Sequence, residues 1–130
     1  MPPTAMALST AGIVPRPRHG IGAYFGDLPF WNDPRLLRDD DAAEQLAEAL
    51  GKTAAIVMRG NGAITVGATL PQAVTLAWFM EDAARVERDV RAMGLDPDEG
   101  LLSPNEVDDR QVWAGGVVER MWQHLTGFEL

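Results

Sequence analysis

Between Ala54 and Gly94 the chain reads AAIVMRGNGAITVGATLPQAVTLAWFMEDAARVERDVRAMG, and this stretch restricts the fold more than any other. Ala54 to Met58 is an unbroken apolar run, which predicts a strand covered on both faces. Arg59-Gly60-Asn61-Gly62 is turn chemistry, and Ala63 to Gly67 resumes β-branched residues. Two short strands joined through Asn-Gly predict an antiparallel hairpin. A helix then opens at Thr69, whose hydroxyl is suited to cap it, with Pro71 in the first turn. Leu76, Phe79, Met80, Ala83, Val86 and Val90 recur at three- and four-residue spacing, so the helix runs to about Met93 and stops at Gly94. Glu81 and Glu87 are expected on its solvated face.

The flanks are assigned by the same rules. Met1 to Gly12 is short and apolar, one or two turns of helix without a visible cap. Residues 13–35 hold Pro15, Pro17, Pro29 and Pro34 among glycines and read as loop with a short strand. Asp39, Asp40 and Asp41 suit the positive end of a helix that runs to Leu50 and stops at Gly51. Ser103-Pro104-Asn105-Glu106 forms a capping box. It opens a last helical region to about Leu125, apolar at Val112, Trp113, Val117, Trp122 and Leu125 and weakened by Gly115-Gly116. Few strands among several helices indicate an α+β or α/β layered fold.

Charge and composition remove several functions. Nineteen acidic against eleven basic residues, net −8, argue against nucleic acid or an acidic membrane as partner. With no cysteine there is no disulfide framework and no thiolate nucleophile, which fits a reducing cytoplasm. Two histidines, His19 and His124, are too few for a histidine-rich metal site. No apolar run approaches a membrane span, and the first residues lack the basic start of an export signal. The expected setting is therefore cytoplasmic.

R-G-N-G at 59–62, V-G at 66–67, Q-A at 72–73 and M-E-D-A-A at 80–84 together resemble the class II aldolase/adducin family. Arg38-Asp39 through Gly51 resembles that family's preceding helix, and Leu102-Ser103-Pro104-Asn105-Glu106 is similar to the L-S-P-E-E of a decarboxylase-like branch. Met1-Pro2 through Ser9 fits the register that follows the family's H-x-H-P metal motif, with Met1 at the second histidine. The resemblance thus implies an α/β fold: one partial domain over residues 1–130, the C-terminal half of an α/β/α three-layer unit. Its mixed or antiparallel sheet would be flanked by helices.

What the resemblance implies about function follows from the family. Its lyases use a divalent metal (zinc, manganese or iron) to stabilise the carbanion left when a carbon–carbon bond breaks. Aldol cleavage and decarboxylation share that carbanion. The chain would be part of such a lyase, acting on a small hydroxy or keto acid or an aromatic carboxylate, and inactive without its N-terminal half. In the same register His19 falls on a histidine near the family's site, which makes it the catalytic candidate. Gly20 falls where the sugar-phosphate aldolases carry a tyrosine acid, and Asn61 falls on the third metal histidine. Asn61 and Arg59 are the substrate-binding candidates, and no residue is put forward as a metal ligand. The expected partners are a small molecule and either further copies of the chain or a complementing half, joined at an exposed sheet edge.

Simpler readings stand beside these. Asn61 suits the positive φ of an Asn-Gly turn, Arg59 a solvated strand end, and His19 a loop. His124 reads as packing or surface, and Trp31, Trp78, Trp113 and Trp122 as core or interface anchors. The alternative function is an adducin-like interaction module without a metal site.

Overall fold

The computed structural model describes residues 2–128. In chain order it contains α1 (Pro3–Thr10), a 3-10 turn (Gly22–Phe25), β1 (Phe30–Trp31), α2 (Asp40–Leu50), β2 (Ala55–Met58) and β3 (Gly62–Thr65). Three helices follow: α3 (Leu70–Ala92), α4 (Pro104–Arg110) and α5 (Val117–Thr126). The strands form one mixed sheet in the order β1-β2-β3. β1 runs parallel to β2, with Phe30 opposite Val57. β3 returns antiparallel, with Ala55 opposite Thr65 and Met58 opposite Gly62.

Strand β2 explains the layering. Successive side chains of a strand face opposite ways. Ala55 and Val57 therefore join the cluster of Ala5, Leu8, Phe25, Leu76, Phe79 and Met80 beneath α1 and α3. Ile56 and Met58 instead meet Leu46 of α2 together with Trp31 and Leu37. All four β2 residues are buried, as a doubly covered strand requires. The architecture is α/β, a small mixed sheet with helices on both faces. Among the described residues no helix is long and apolar enough to cross a membrane.

The expected helix starts are present. Asp39 accepts the Ala42 N–H at 2.8 Å, Thr69 accepts that of Gln72 at 3.3 Å, and Ser103 and Glu106 close a reciprocal capping box. The C-terminal region departs from the single helical run expected. α4 stops at Arg110, where Gln111 leaves helical backbone at ψ 56°, and α5 starts at Val117 after Gly115 and Gly116, both left-handed at φ +81° and +69°. Two such residues in succession turn a corner rather than weaken a helix.

Glu81 and Glu87 are both buried instead of solvated. α1 has no side-chain cap of its own. The Glu81 carboxylate supplies one from α3, accepting the N–H groups of Thr4 at 2.9 and 3.1 Å and of Ala5 at 3.0 Å. Glu87 is fully buried and meets Arg18 Nε at 2.7 Å, Arg91 Nε at 2.6 Å and the backbone N–H of Arg16 at 3.3 Å. The remaining nitrogens of Arg18 donate to the carbonyls of Pro97 and Glu99. One buried guanidinium thus fastens the loop before the 3-10 turn and the loop after α3 to the same helix. Burial pushes both carboxyls up. For Glu81 the Ala5 and Thr4 donors outweigh it, for Glu87 the Arg18 and Arg91 donors do, and both settle below the usual glutamate range.

Removing one member of a buried pair leaves an uncompensated charge. Glu87→Ala is expected to lower unfolding free energy by about 3–5 kcal/mol, read from urea denaturation. The pH dependence has a definite sign. Carboxyls depressed in the folded state contribute stability that is complete above their unfolded value of about 4.3 and is lost as pH falls through the folded values. Urea midpoints measured from neutral pH downward should stay level and then drop below about pH 4.5, with a smaller drop in Glu87→Ala than in the parent.

Candidate functional site

His19 follows directly on Arg18, so the buried ion pair determines where it lies. Its carbonyl accepts the Ala23 N–H at 3.0 Å and starts the 3-10 turn. Its Nε2 lies 3.6 Å from Asp82 Oδ2 in the middle of α3, longer than a hydrogen bond. Both ring nitrogens are occluded from solvent and neither has a hydrogen-bond partner among the described residues. Occluded, unsatisfied polar atoms are rare in folded proteins and call for an explanation. Gly22 makes room for the ring, since a Cβ there would lie 3.1 Å from Nδ1.

The next residue, Gly20, is filled from elsewhere. A Cβ at this position would lie 1.9 Å from Arg110 Nη2 and 2.8 Å from its Cζ. The guanidinium at the end of α4 occupies the space that a side chain at position 20 would take.

Arg59 and Asn61 lie in a second place. Arg59 Nε donates to the Asn32 carbonyl at 3.1 Å, and Asn61 Nδ2 donates to the Pro34 carbonyl at 3.1 Å. Together they tie the β2–β3 turn to the loop after β1. Positive φ falls on Gly60 and Gly62 at +67° and +84° and on no non-glycine residue, so Asn61 is not there for left-handed backbone. In the same loop Asp33 receives two nitrogens of Arg35, Nε at 2.9 Å and Nη2 at 2.5 Å. The Arg35 side chain and then its backbone N–H pull the Asp33 carboxyl down to about 2, with the charge of Arg59 adding to the effect. Trp31 Nε1 is occluded nearby without a partner among the described residues.

The contacts of His19 and those of the Arg59–Asn61 turn have no residue in common, so one chain does not bring its three candidate residues together. Asp82 and Arg110 had no signal in the sequence, because nothing local marks an aspartate on a helix face or an arginine ninety positions from its glycine. His124, expected as packing or surface, is exposed on α5 and meets Trp78 edge-on at 6.3 Å.

The family resemblance implies a divalent metal, which needs several converging donors. Among the described residues no three His, Cys, Asp or Glu side chains cluster in a way that would hold an ion. His19 has one carboxylate near it, and the amide nitrogen of Asn61 is committed to Pro34. The described residues of this chain alone do not fit a metal.

Mixed sheet, covering helices and the R-G-N-G hairpin define the class of fold, that of the class II aldolases. A family model described as the class II aldolase and adducin N-terminal domain matches residues 1–87, and the chain belongs to that family. It is 28% identical over 99 residues to a 3,4-dihydroxyphthalate decarboxylase of Rhodococcus jostii (strain RHA1), a match covering 72% of this chain and 41% of that one. In fold it is similar to an L-fuculose 1-phosphate aldolase, with TM-score 0.69 and 17% identity over 83% of this chain. An aldolase II superfamily protein from Pseudomonas syringae is similar at TM-score 0.69 and 22% identity over 94%. The chain spans half the length of each of these two structures.

The electrostatics of the turn can be checked directly. Arg35→Ala should return the Asp33 carboxyl from about 2 toward the ordinary aspartate value of 3.8, followed by NMR titration of its carboxyl carbon.

Proposed function

We propose that the chain is part of a carbon–carbon lyase of the decarboxylase-like kind, acting on a small hydroxy or keto acid or an aromatic carboxylate. The observation that carries this is the packing at Gly20. Where the family resemblance puts a tyrosine acid in the sugar-phosphate aldolases, the Arg110 guanidinium fills the available volume. An acid must then come from elsewhere, and His19 adjoins the position. The similarity to a protein named as a decarboxylase supports the same branch.

In decarboxylation the bond from the carboxylate carbon to its neighbour breaks, carbon dioxide leaves, and the electron pair stays on the neighbouring carbon. That carbon then takes up a proton. In this reading His19, which lies beside Asp82, delivers that proton. Arg59 and Asn61 would contact the substrate from the β2–β3 turn. Because that turn and His19 occupy separate places, a complete site would draw them from different copies in a cytoplasmic homo-oligomer.

A second reading, an adducin-like interaction module, is favoured by the commitment of Asn61 to Pro34 and by the poor metal donor set. One experiment separates the two. The protein is assayed for carbon dioxide release from 3,4-dihydroxyphthalate and for cleavage of L-fuculose 1-phosphate, with bound metal measured. Carbon dioxide release that drops by about 10²–10⁴-fold in His19→Gln is expected. Cleavage of the sugar phosphate alone overturns the decarboxylase-like assignment, and release unchanged in His19→Gln overturns the role of His19. No turnover with no bound metal favours the interaction module.

A further inference from the structure

A cavity of about 560 Å³ lies between the 3-10 turn, the middle of α3, the end of α4 and the start of α5. Its size falls within the range of roughly 300–1,000 Å³ typical of small-molecule sites. The floor is apolar, built from Ile21, Phe79 and Met121, and Tyr24 forms one wall. The Tyr24 ring packs against Phe79 at 5.4 Å and Trp113 at 4.6 Å, and its hydroxyl donates to the Val112 carbonyl at 2.5 Å. That wall is thus rigid and presents mainly its ring.

Charge at the cavity runs against the rest of the molecule. Arg110, Arg120 and Asp109 line it, two positive groups less one negative, giving +1 in a chain of net −8. Arg120 is steadied by an Nη1 bond to the Gly115 carbonyl. Arg110 lies over Gly20, in the space a side chain there would take, and among the described residues it forms no ion pair. Two guanidiniums beside an apolar floor match an anion that carries an apolar body. Arginine meets a carboxylate with two parallel N–H donors, so a planar carboxylate suits this pair well.

We infer that this cavity is a binding site for a small amphipathic carboxylate. The apolar body, an aromatic ring or branched chain, rests on Ile21, Phe79 and Met121, and the carboxylate meets Arg110 and Arg120. Asp109 accepts a hydrogen bond from a hydroxyl on the same molecule. A small hydrated anion such as phosphate would leave the floor wet, and a neutral apolar molecule would leave the guanidiniums without an acceptor. The cavity includes Gly20 beside His19, so the inference deepens the lyase reading and rests on it, while binding measured without turnover keeps the two distinguishable.

The test is calorimetric titration of the full chain with benzoate, benzyl alcohol and inorganic phosphate. Benzoate should bind at one site per chain, at least about tenfold more tightly than either of the others, and more weakly as salt rises. The double variant Arg110→Gln/Arg120→Gln should lose about tenfold or more in benzoate affinity. Both side chains are exposed, so an unchanged melting temperature would show that the fold is intact. Gly20→Ala, which displaces the Arg110 guanidinium, should weaken benzoate binding in the same direction. Equal binding of benzyl alcohol or of phosphate, no benzoate binding at millimolar concentration, or full affinity in the folded double variant would overturn the assignment.

Discussion

The ion pair between Arg18 and Glu87 is the interaction on which the rest of this structure hangs. Two charges withdrawn from water are costly to hold, and they persist where geometry and further hydrogen bonds satisfy both groups. Here both Glu87 oxygens face guanidinium donors, and Arg18 uses its outer nitrogens on the carbonyls of Pro97 and Glu99. A proline-rich loop with little secondary structure of its own is thereby fastened to the longest helix. The next residues in that loop are His19 and Gly20, so the chemistry-bearing positions inherit their placement from a structural contact. Glu81 does the same for α1 six residues earlier on the same helix, holding a short helix at its N-terminal N–H groups.

Much of the fold was legible because its signals are local. The caps at Asp39, Thr69 and Ser103, the Asn-Gly hairpin and the doubly apolar run at Ala54–Met58 each rest on residues within a few positions of one another. The two glutamates were misjudged for the opposite reason. Glu87 lies three residues beyond Ala84 and four beyond Ala83, so it continues the buried stripe of α3, yet a carboxylate in that stripe makes sense only once Arg18 is known to be there. The break between α4 and α5 was visible as Gly115-Gly116, but its consequence, a corner, depends on backbone angles that composition does not specify.

The site was less legible. His19, Arg59 and Asn61 were singled out by family register, and the register says nothing about which neighbours they find in space. Asp82 lies sixty-three positions from His19 and Arg110 ninety from Gly20, and such contacts leave no periodic trace. The turn around Asn61 shows a further limit. An amide in an Asn-Gly sequence suggests backbone conformation, whereas the side chain here bridges two loops and the glycines carry the unusual angles.

The close approach of Arg110 to Gly20 also constrains how a chain of this kind can change over time. A hydroxyl-bearing ring at position 20 and a guanidinium folded over that position compete for one volume, so the two states are alternatives. A line of descent that gains a larger residue at position 20 turns the exposed arginine out of that volume, and one that loses it lets the arginine fold back. Substitutions at these two sites, ninety residues apart, should therefore depend on each other in their effect.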